Sequence, residues 1–316
     1  MLSRTADHLY WMARYIERAE NMARVLDVTY RMSLVSSGAH TEADLWTPPV
    51  LIADDVEAFE RDYGEYNAAN VMRYMALDER NLSSIVSCLG AARENARSVR
   101  VAMSSEMWET VNTLWLELRQ RLNQGFNEAD IGEFCDWVKS RSHLFRGVTV
   151  GTMLRDDGYM FVRLGTFIER ADNTARLLDA KYHLLMAGDG EHSGTLDYYE
   201  WSSLLRSVSS FEAYQKVYRD TIEPSKVAEL LVLRNDMPRS LHACYSEITP
   251  ILEQICTQRG LECLRLGGET HARLRYGRMD DIFNAGLHEY LQEFIVRNNG
   301  LGGEIQRSFL NAPVSG

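Results

Sequence analysis

The sequence predicts an all-α protein: a large helical bundle built from two duplicated halves with pseudo-twofold symmetry. Three observations point to it. Proline is scarce, 6 in 316 residues, while the strong helix formers Leu, Ala, Glu and Arg are plentiful. Apolar residues recur at alternating steps of three and four. One helical segment occurs twice: residues 16–30 read IERAENMARVLDVTY and residues 168–182 read IERADNTARLLDAKY, offset by 152 residues with ten of fifteen positions identical. A repeat of this kind marks a structural unit used more than once. A second echo, Ser84-Ile85-Val86-Ser87-Cys88 against Ser240-Leu241-His242-Ala243-Cys244, follows in the same order at an offset of 156. A whole half therefore reads as duplicated. The halves are placed at 1–150 and 151–316, with a boundary near 147–158, and are expected to form one compact unit.

The elements follow in order. The first helix is predicted to start near Ser3 or Thr5 and to run past Tyr30. Leu9, Met12, Ile16, Ala19, Ala23, Leu26 and Tyr30 form one apolar stripe along it. Ala19 and Ala23 are small enough for another helix to approach closely. The second copy repeats the stripe as Phe161, Leu164, Ile168, Ala171, Ala175, Leu178 and Tyr182. Ser36-Ser37-Gly38 is expected to end the first helix and Thr47-Pro48-Pro49 to be loop. Shorter helices are predicted over 50–62 and 66–77, and longer ones over 83–101, 105–123 and 128–145. The second motif helix is expected to reach about Ala187, a Gly/Asp/Ser loop to follow over 188–194, and helix to resume near Tyr198. Pro224 and Pro238 are read as helix starts. Gly267-Gly268 is read as a break before a long helix ending near Asn298, with Gly300-Leu301-Gly302-Gly303 as its cap and a frayed C-terminus. No segment shows strand alternation.

The net charge of −11 argues against bulk-charge binding to nucleic acid or to an anionic membrane surface. No signal-like run opens the chain, and nothing approaches the roughly 18 apolar residues of a membrane span. The five cysteines, Cys88, Cys135, Cys244, Cys256 and Cys263, are odd in number and form no CxxC. They read as small buried hydrophobes in a cytoplasmic, reducing setting.

On the first motif helix Glu17, Asn21 and Arg24 share one face at i, i+4 and i+7, with Glu20 and Asp27 beside them and Arg18 on the other side. Glu169, Asn173 and Arg176 rebuild that face in the second copy, with Arg170 matching Arg18 and Asp172 and Asp179 in place of Glu20 and Asp27. A solvated face needs charge but not the same charges twice. Two explanations stand: a buried ion-pair network that fixes how helices meet, or a ligand site in which Arg takes carboxylate or phosphate and Glu takes an amine. Arg93, Arg97 and Arg100 form a basic stripe on a further helix. It is expected either to face the acidic edge Glu17/Glu20/Asp27, to line an anion pocket, or to be solvated.

Familiar chemistry lacks its residues. HExxH and ExxH are absent, as are GxxxxGK[ST], GxGxxG and GxSxG, and the eight histidines show no i, i+4 pair. No metal and no cofactor are expected. Glu269-x-His271 and His288-Glu289 are weak acid–base candidates.

The segments LSRTADHLYWMARYIERAENMARVLDV, SIVSCLGAARENARSVR, SSEMWETVNTLW and RDDGYMFVRLGTFIERADNTARLLDA together resemble the bacterial Alpha-E family, an α-helical domain named for a Glu-Arg motif. The resemblance places that motif on Glu17-Arg18 and Glu169-Arg170. Ala13-Arg14 stands where the second copy has Gly165-Thr166, so the copies are not equivalent at that turn. The resemblance also implies a gene neighbourhood with an ATP-grasp-type ligase and a transglutaminase-like peptidase, and hence a peptide- or amide-modifying system. Three functions remain open: a non-catalytic partner or peptide-carrying protein of that system, an enzyme with its site between the motif helices, and a purely structural scaffold.

Overall fold

The structure, a computed structural model, describes residues 1–35, 41–53, 55–125, 130–186, 194–257 and 259–310. All regular structure among them is helical. By Cα packing the chain divides into two compact units. The first comprises Met1 and His8–Thr166, the second Leu2–Asp7 and Phe167–Gly316.

The first unit holds most of α1 (Ser3–Val35), then α2 (Glu42–Ala53), α3 (Val56–Asp62), α4 (Ala68–Met72), α5 (Ile85–Ser98), α6 (Ser105–Asn123) and α7 (Ile131–Thr152), and the start of α8 (Asp157–Met186). A π-turn, Arg73–Leu77, extends α4, and a 3-10 turn, Arg100–Ala102, follows α5. The core gathers Ala23 and Leu26 of α1 with Trp46, Phe59, Leu89 and Leu114, all buried. Serine caps fix where helices begin: Ser84 Oγ accepts from the Ser87 amide at 3.2 Å and Ser104 Oγ from the Met107 amide at 3.1 Å.

The second unit continues α8 and adds α9 (Gly194–Ser207), α10 (Phe211–Tyr218), α11 (Pro224–Val232), α12 (Leu241–Ile255), α13 (Leu261–Tyr276), α14 (Met279–Ala285) and α15 (Leu287–Ile305), which ends in a second π-turn, Gln306–Leu310. Pro224 opens α11 as predicted. Pro238 instead lies in a turn, and Ser240 caps α12 through the Ala243 amide at 2.9 Å.

Several local expectations are corrected. Thr47-Pro48-Pro49 lies inside α2. Proline within a helix costs about 3 kcal/mol, but burial of Trp46, Pro48, Pro49, Val50 and Ile52 outweighs it, and Thr47 Oγ1 bonds back to the Ala43 carbonyl at 2.7 Å. The segment 50–62 is shared between α2 and α3, and 83–101 between α5 and the 3-10 turn. Helix α7 passes its predicted end and runs to Thr152. Gly267-Gly268 does not break α13: a Cβ at Gly267 would meet Leu252 Cδ1 of α12 at 2.5 Å, so glycine serves close packing of α12 on α13. Gly300-Leu301-Gly302-Gly303 likewise lies within α15, held by the buried Leu301 and Ile305. The expected stops at 36–38 and 188–193 and the last six residues fall outside the described residues.

No helix among the described residues is long and apolar enough to cross a membrane.

Candidate functional site

The polar face of α1 is buried, not solvated. Glu17 is 1% exposed, Glu20 0%, Asn21 3%, Arg24 9% and Asp27 5%. Burying charges costs several kcal/mol each unless partners replace water. Partners on α7 are Lys139, Ser142, His143 and Arg146, spaced on one helical face.

Glu20 is the centre of this network. Its Oε1 accepts from Arg24 Nε at 2.9 Å, Arg24 Nη2 at 2.7 Å and Arg146 Nη2 at 3.3 Å. Its Oε2 accepts from Ser142 Oγ at 2.5 Å and from Arg146 Nη1. Arg146 Nη1 also reaches Glu17 Oε2 at 3.2 Å, and Arg24 Nη2 lies 3.0 Å from His143 Nε2. Two carboxylates and two guanidiniums thus meet in this network. About two turns along α1 from Glu20, Asp27 accepts from Arg31 Nε and Lys139 Nζ, each at 2.7 Å, and Lys139 also meets Asp136 at 2.7 Å. Burial opposes the charge on Lys139, but hydrogen bonds and attraction from Asp136 and Asp27 more than offset it and raise its pKa. Beside them Cys135 is fully buried. Burial, with the nearby Asp27 charge, pushes its thiol far up, so it stays neutral.

The second unit has its own version. Arg176 Nε donates to Asp172 Oδ2 at 2.8 Å, in the place of Arg24 on Glu20. Asp179, in the place of Asp27, accepts from two side chains of α15: His288 Nδ1 at 2.7 Å and Gln292 Nε2 at 2.6 Å. Glu169 and Arg170 are buried, and the Arg170 guanidinium lies 5.2 Å from the Phe167 ring. Asn173 is half-buried. Asn298 of α15 donates to the Ile168 carbonyl at 3.2 Å and accepts from Tyr245 at 3.1 Å.

Arg18 is half-buried over the Tyr15 ring at 6.0 Å. The α5 stripe forms a separate surface group: Arg93 pairs with Glu94, Arg97 meets Glu94 at 2.8 Å, and Arg93 and Arg100 lie 6.0 and 5.4 Å from the Trp108 ring. The side chains that do meet the acidic edge lay in a less conspicuous stretch of sequence. Lys139, Ser142 and His143 sat inside a predicted helix, one face of which their spacing marked, but Arg146 lay one residue beyond its predicted end.

The weak acid–base candidates separate. Glu269 is tied to Arg297 at 3.0 Å and Arg265 at 3.1 Å, while His271 approaches Ser246 at 3.2 Å. His288 is bound to Asp179, as described above. Among the described residues no group of three or more His, Cys, Asp or Glu is placed to hold a metal ion.

A general base needs an accessible lone pair, and both oxygens of Glu20 are occupied by internal donors. The network can fix the angle and register of α7 on α1, which is what a buried, fully hydrogen-bonded ion cluster does. A different part of the first unit carries a concavity of about 650 Å³ beside α4, lined by Tyr63, Ala69, Met72, Arg73, Leu77, Asp78, Glu79 and Arg80.

The chain is 23% identical to uncharacterized proteins of Mycobacterium bovis and Mycobacterium tuberculosis, over 93% of its own length and 35% of theirs. It therefore spans about a third of the curated relatives it matches. No solved structure matches it. The model of the Alpha-E family, described as a predicted alpha-helical domain with a conserved ER motif, matches residues 1–310. The all-helical chain, with its two Ile-Glu-Arg-Ala helices, belongs to the Alpha-E family.

Proposed function

We propose that the chain is a non-catalytic helical partner domain. In this reading it binds an ATP-grasp-type ligase and a transglutaminase-like protein from the same gene neighbourhood, and serves a peptide- or amide-modifying system. The observation that carries the reading is the saturation of Glu20 by Arg24, Ser142 and Arg146. The repeated charges of the motif helix hold helices together and leave no carboxylate at Glu20 for chemistry. The relatives add support: a domain that fills 35% of a longer chain suits a module that works beside other domains.

We also infer that the two halves arose by duplication and retain a pseudo-twofold relation. The sequence repeat is matched by repeated local structure. An acid–arginine i, i+4 pair, an aspartate bonded to a later helix, and a serine N-cap at Ser84 and Ser240 occur in both units.

The test is co-expression with the neighbouring ATP-grasp-type ligase, reading complex formation by size-exclusion light scattering and ligation rate by product analysis. The reading expects a stoichiometric complex and a changed ligation rate. A chain that forms no complex and leaves the rate untouched contradicts it.

A further inference from the structure

We propose that the concavity beside α4 binds a small zwitterion, an amino acid or short peptide with free ends, whose carboxylate meets Arg73 and whose ammonium group meets Glu79. The site goes beyond the partner role and uses none of the α1–α7 network.

The charges that line this cavity fall into two classes. Asp78 and Arg80 are spent on each other. Arg80 Nη2 and Nε donate to the two Asp78 oxygens at 2.7 and 3.1 Å, the Arg80 amide adds a bond at 2.9 Å, and Tyr63 Oη donates at 2.9 Å. These bonds, above all the Arg80 guanidinium, hold the Asp78 carboxyl at about 2 against the opposing effect of burial. Asp78 and Arg80 are therefore already paired, and Arg80 also lies 3.7 Å from Asp62. Arg73 and Glu79 differ. Both are exposed side chains lining the cavity, and among the described residues neither side chain has a hydrogen-bond or ion-pair partner. A free cation and a free anion thus face one space, with Tyr63, Met72, Leu77 and Ala69 as its less polar walls.

The backbone explains how these groups come together. Arg73–Leu77 is a π-turn, closed by the Asp78 amide on the Arg73 carbonyl at 2.9 Å. Its i→i+5 bond sets Asp78 beside the start of the turn, with Glu79 next in the chain, and such turns are frequent at functional sites. The segment is held in place beforehand. Buried Asn81 donates to the Tyr74 carbonyl at 3.1 Å and accepts from the Ser83 amide at 2.8 Å, and Tyr74 Oη is bonded to Asp55. A rigid site loses less entropy when a ligand is ordered in it.

Ligand class follows from charge and size. A phosphate or polyanion would meet Asp78 and Glu79 as like charges. A simple cation would meet Arg73 and Arg80. A zwitterion satisfies both free groups, and about 650 Å³ falls within the range of small-molecule sites.

The experiment is isothermal titration of the full chain with trialanine, N-acetyl-trialanine, trialanine amide and inorganic phosphate at neutral pH. The expected result is saturable binding of trialanine, weakened at least about tenfold by either cap, as loss of one charged hydrogen bond implies, and no saturable phosphate binding. Arg73→Ala and Glu79→Gln alter exposed, unpartnered side chains, so both variants should keep the wild-type helical content and melting temperature. Arg73→Ala should remove trialanine binding, and Glu79→Gln should remove the preference for the free amine. Failure of trialanine to bind, equal binding of the capped peptides, saturable phosphate binding or unchanged affinity in Arg73→Ala would each overturn the proposal. Because the ligase interaction is read separately, loss of either result leaves the other standing.

Discussion

Glu20 and Glu94 show how differently one residue type behaves in this chain. Both are paired with arginine on their own helix, but Glu20 is fully buried and Glu94 about half-exposed. Removing one partner of a buried pair leaves the other charge stranded, which costs about 3–5 kcal/mol, whereas a surface pair contributes about 0–1 kcal/mol. Glu20→Ala is therefore expected to lower the urea midpoint severely, and Glu94→Ala to shift it little. Equal shifts in the two variants would contradict the burial argument. Gly165 makes a second residue-scale prediction. A Cβ there would overlap the Tyr10 carbonyl oxygen and sit 3.4 Å from Ala13 Cβ, so Gly165→Ala should destabilise by about 1–3 kcal/mol through forced backbone shifts. At this scale the sequence was half legible. Glu17, Asn21 and Arg24 stood out because the repeat kept them. Burial in an ion-pair network was one of the two readings the repeat allowed; which helix supplies the partners was not legible, because the α7 groups covering Glu20 lie more than a hundred residues away in sequence, and no local pattern ties the two.

At the scale of elements, periodicity located most helices and glycine misled. In α13 the two neighbouring glycines have different roles. Gly267 lies against Leu252, whereas a Cβ at Gly268 would meet nothing within 4 Å. Glycine in an open helical position is worse than alanine by about 1 kcal/mol. Gly268→Ala should thus raise the melting temperature, and Gly267→Ala should lose that gain to the contact with Leu252. The reverse order would show that α12 and α13 do not pack as described. The prolines of α2 were misread for a related reason: a local propensity was overridden by burial that only the assembled core provides. The same hairpin of α12 and α13 carries a pH dependence. His271 is held below its usual pKa by burial, then by the charges of His242, 5.6 Å away between ring centroids, and Arg275, against the attraction of Glu253. The folded state therefore keeps this proton off, while the unfolded chain takes it up below about pH 6.5. Stability is full above that pH and falls as pH drops toward the lower, folded value. Thermal melts between pH 7.5 and 5.5 should show this loss, and His271→Gln should reduce it. An unchanged slope in the variant would place the effect elsewhere.

At the scale of the whole chain, the all-α class was legible from composition and stripe alone, and family membership from long motifs. How residues divide between compact units was not, because the second unit includes Leu2–Asp7 from the start of α1 and begins again at Phe167, inside α8. A continuous helix gives no sequence signal at such a point. The fragment 151–316 lacks part of its own unit and is expected to melt less cooperatively by circular dichroism than the intact chain. A sharp, independent transition in that fragment would contradict this. The function assigned to the molecule depends most on whether the repeated motif helix is a structural keystone. The direct measurement is a double-mutant cycle between Glu20 and Arg146, read by urea unfolding at neutral pH. A buried keystone predicts a coupling energy toward the upper end of about 0.5–3 kcal/mol; additive effects of Glu20→Ala and Arg146→Ala, within about 0.5 kcal/mol, would contradict it.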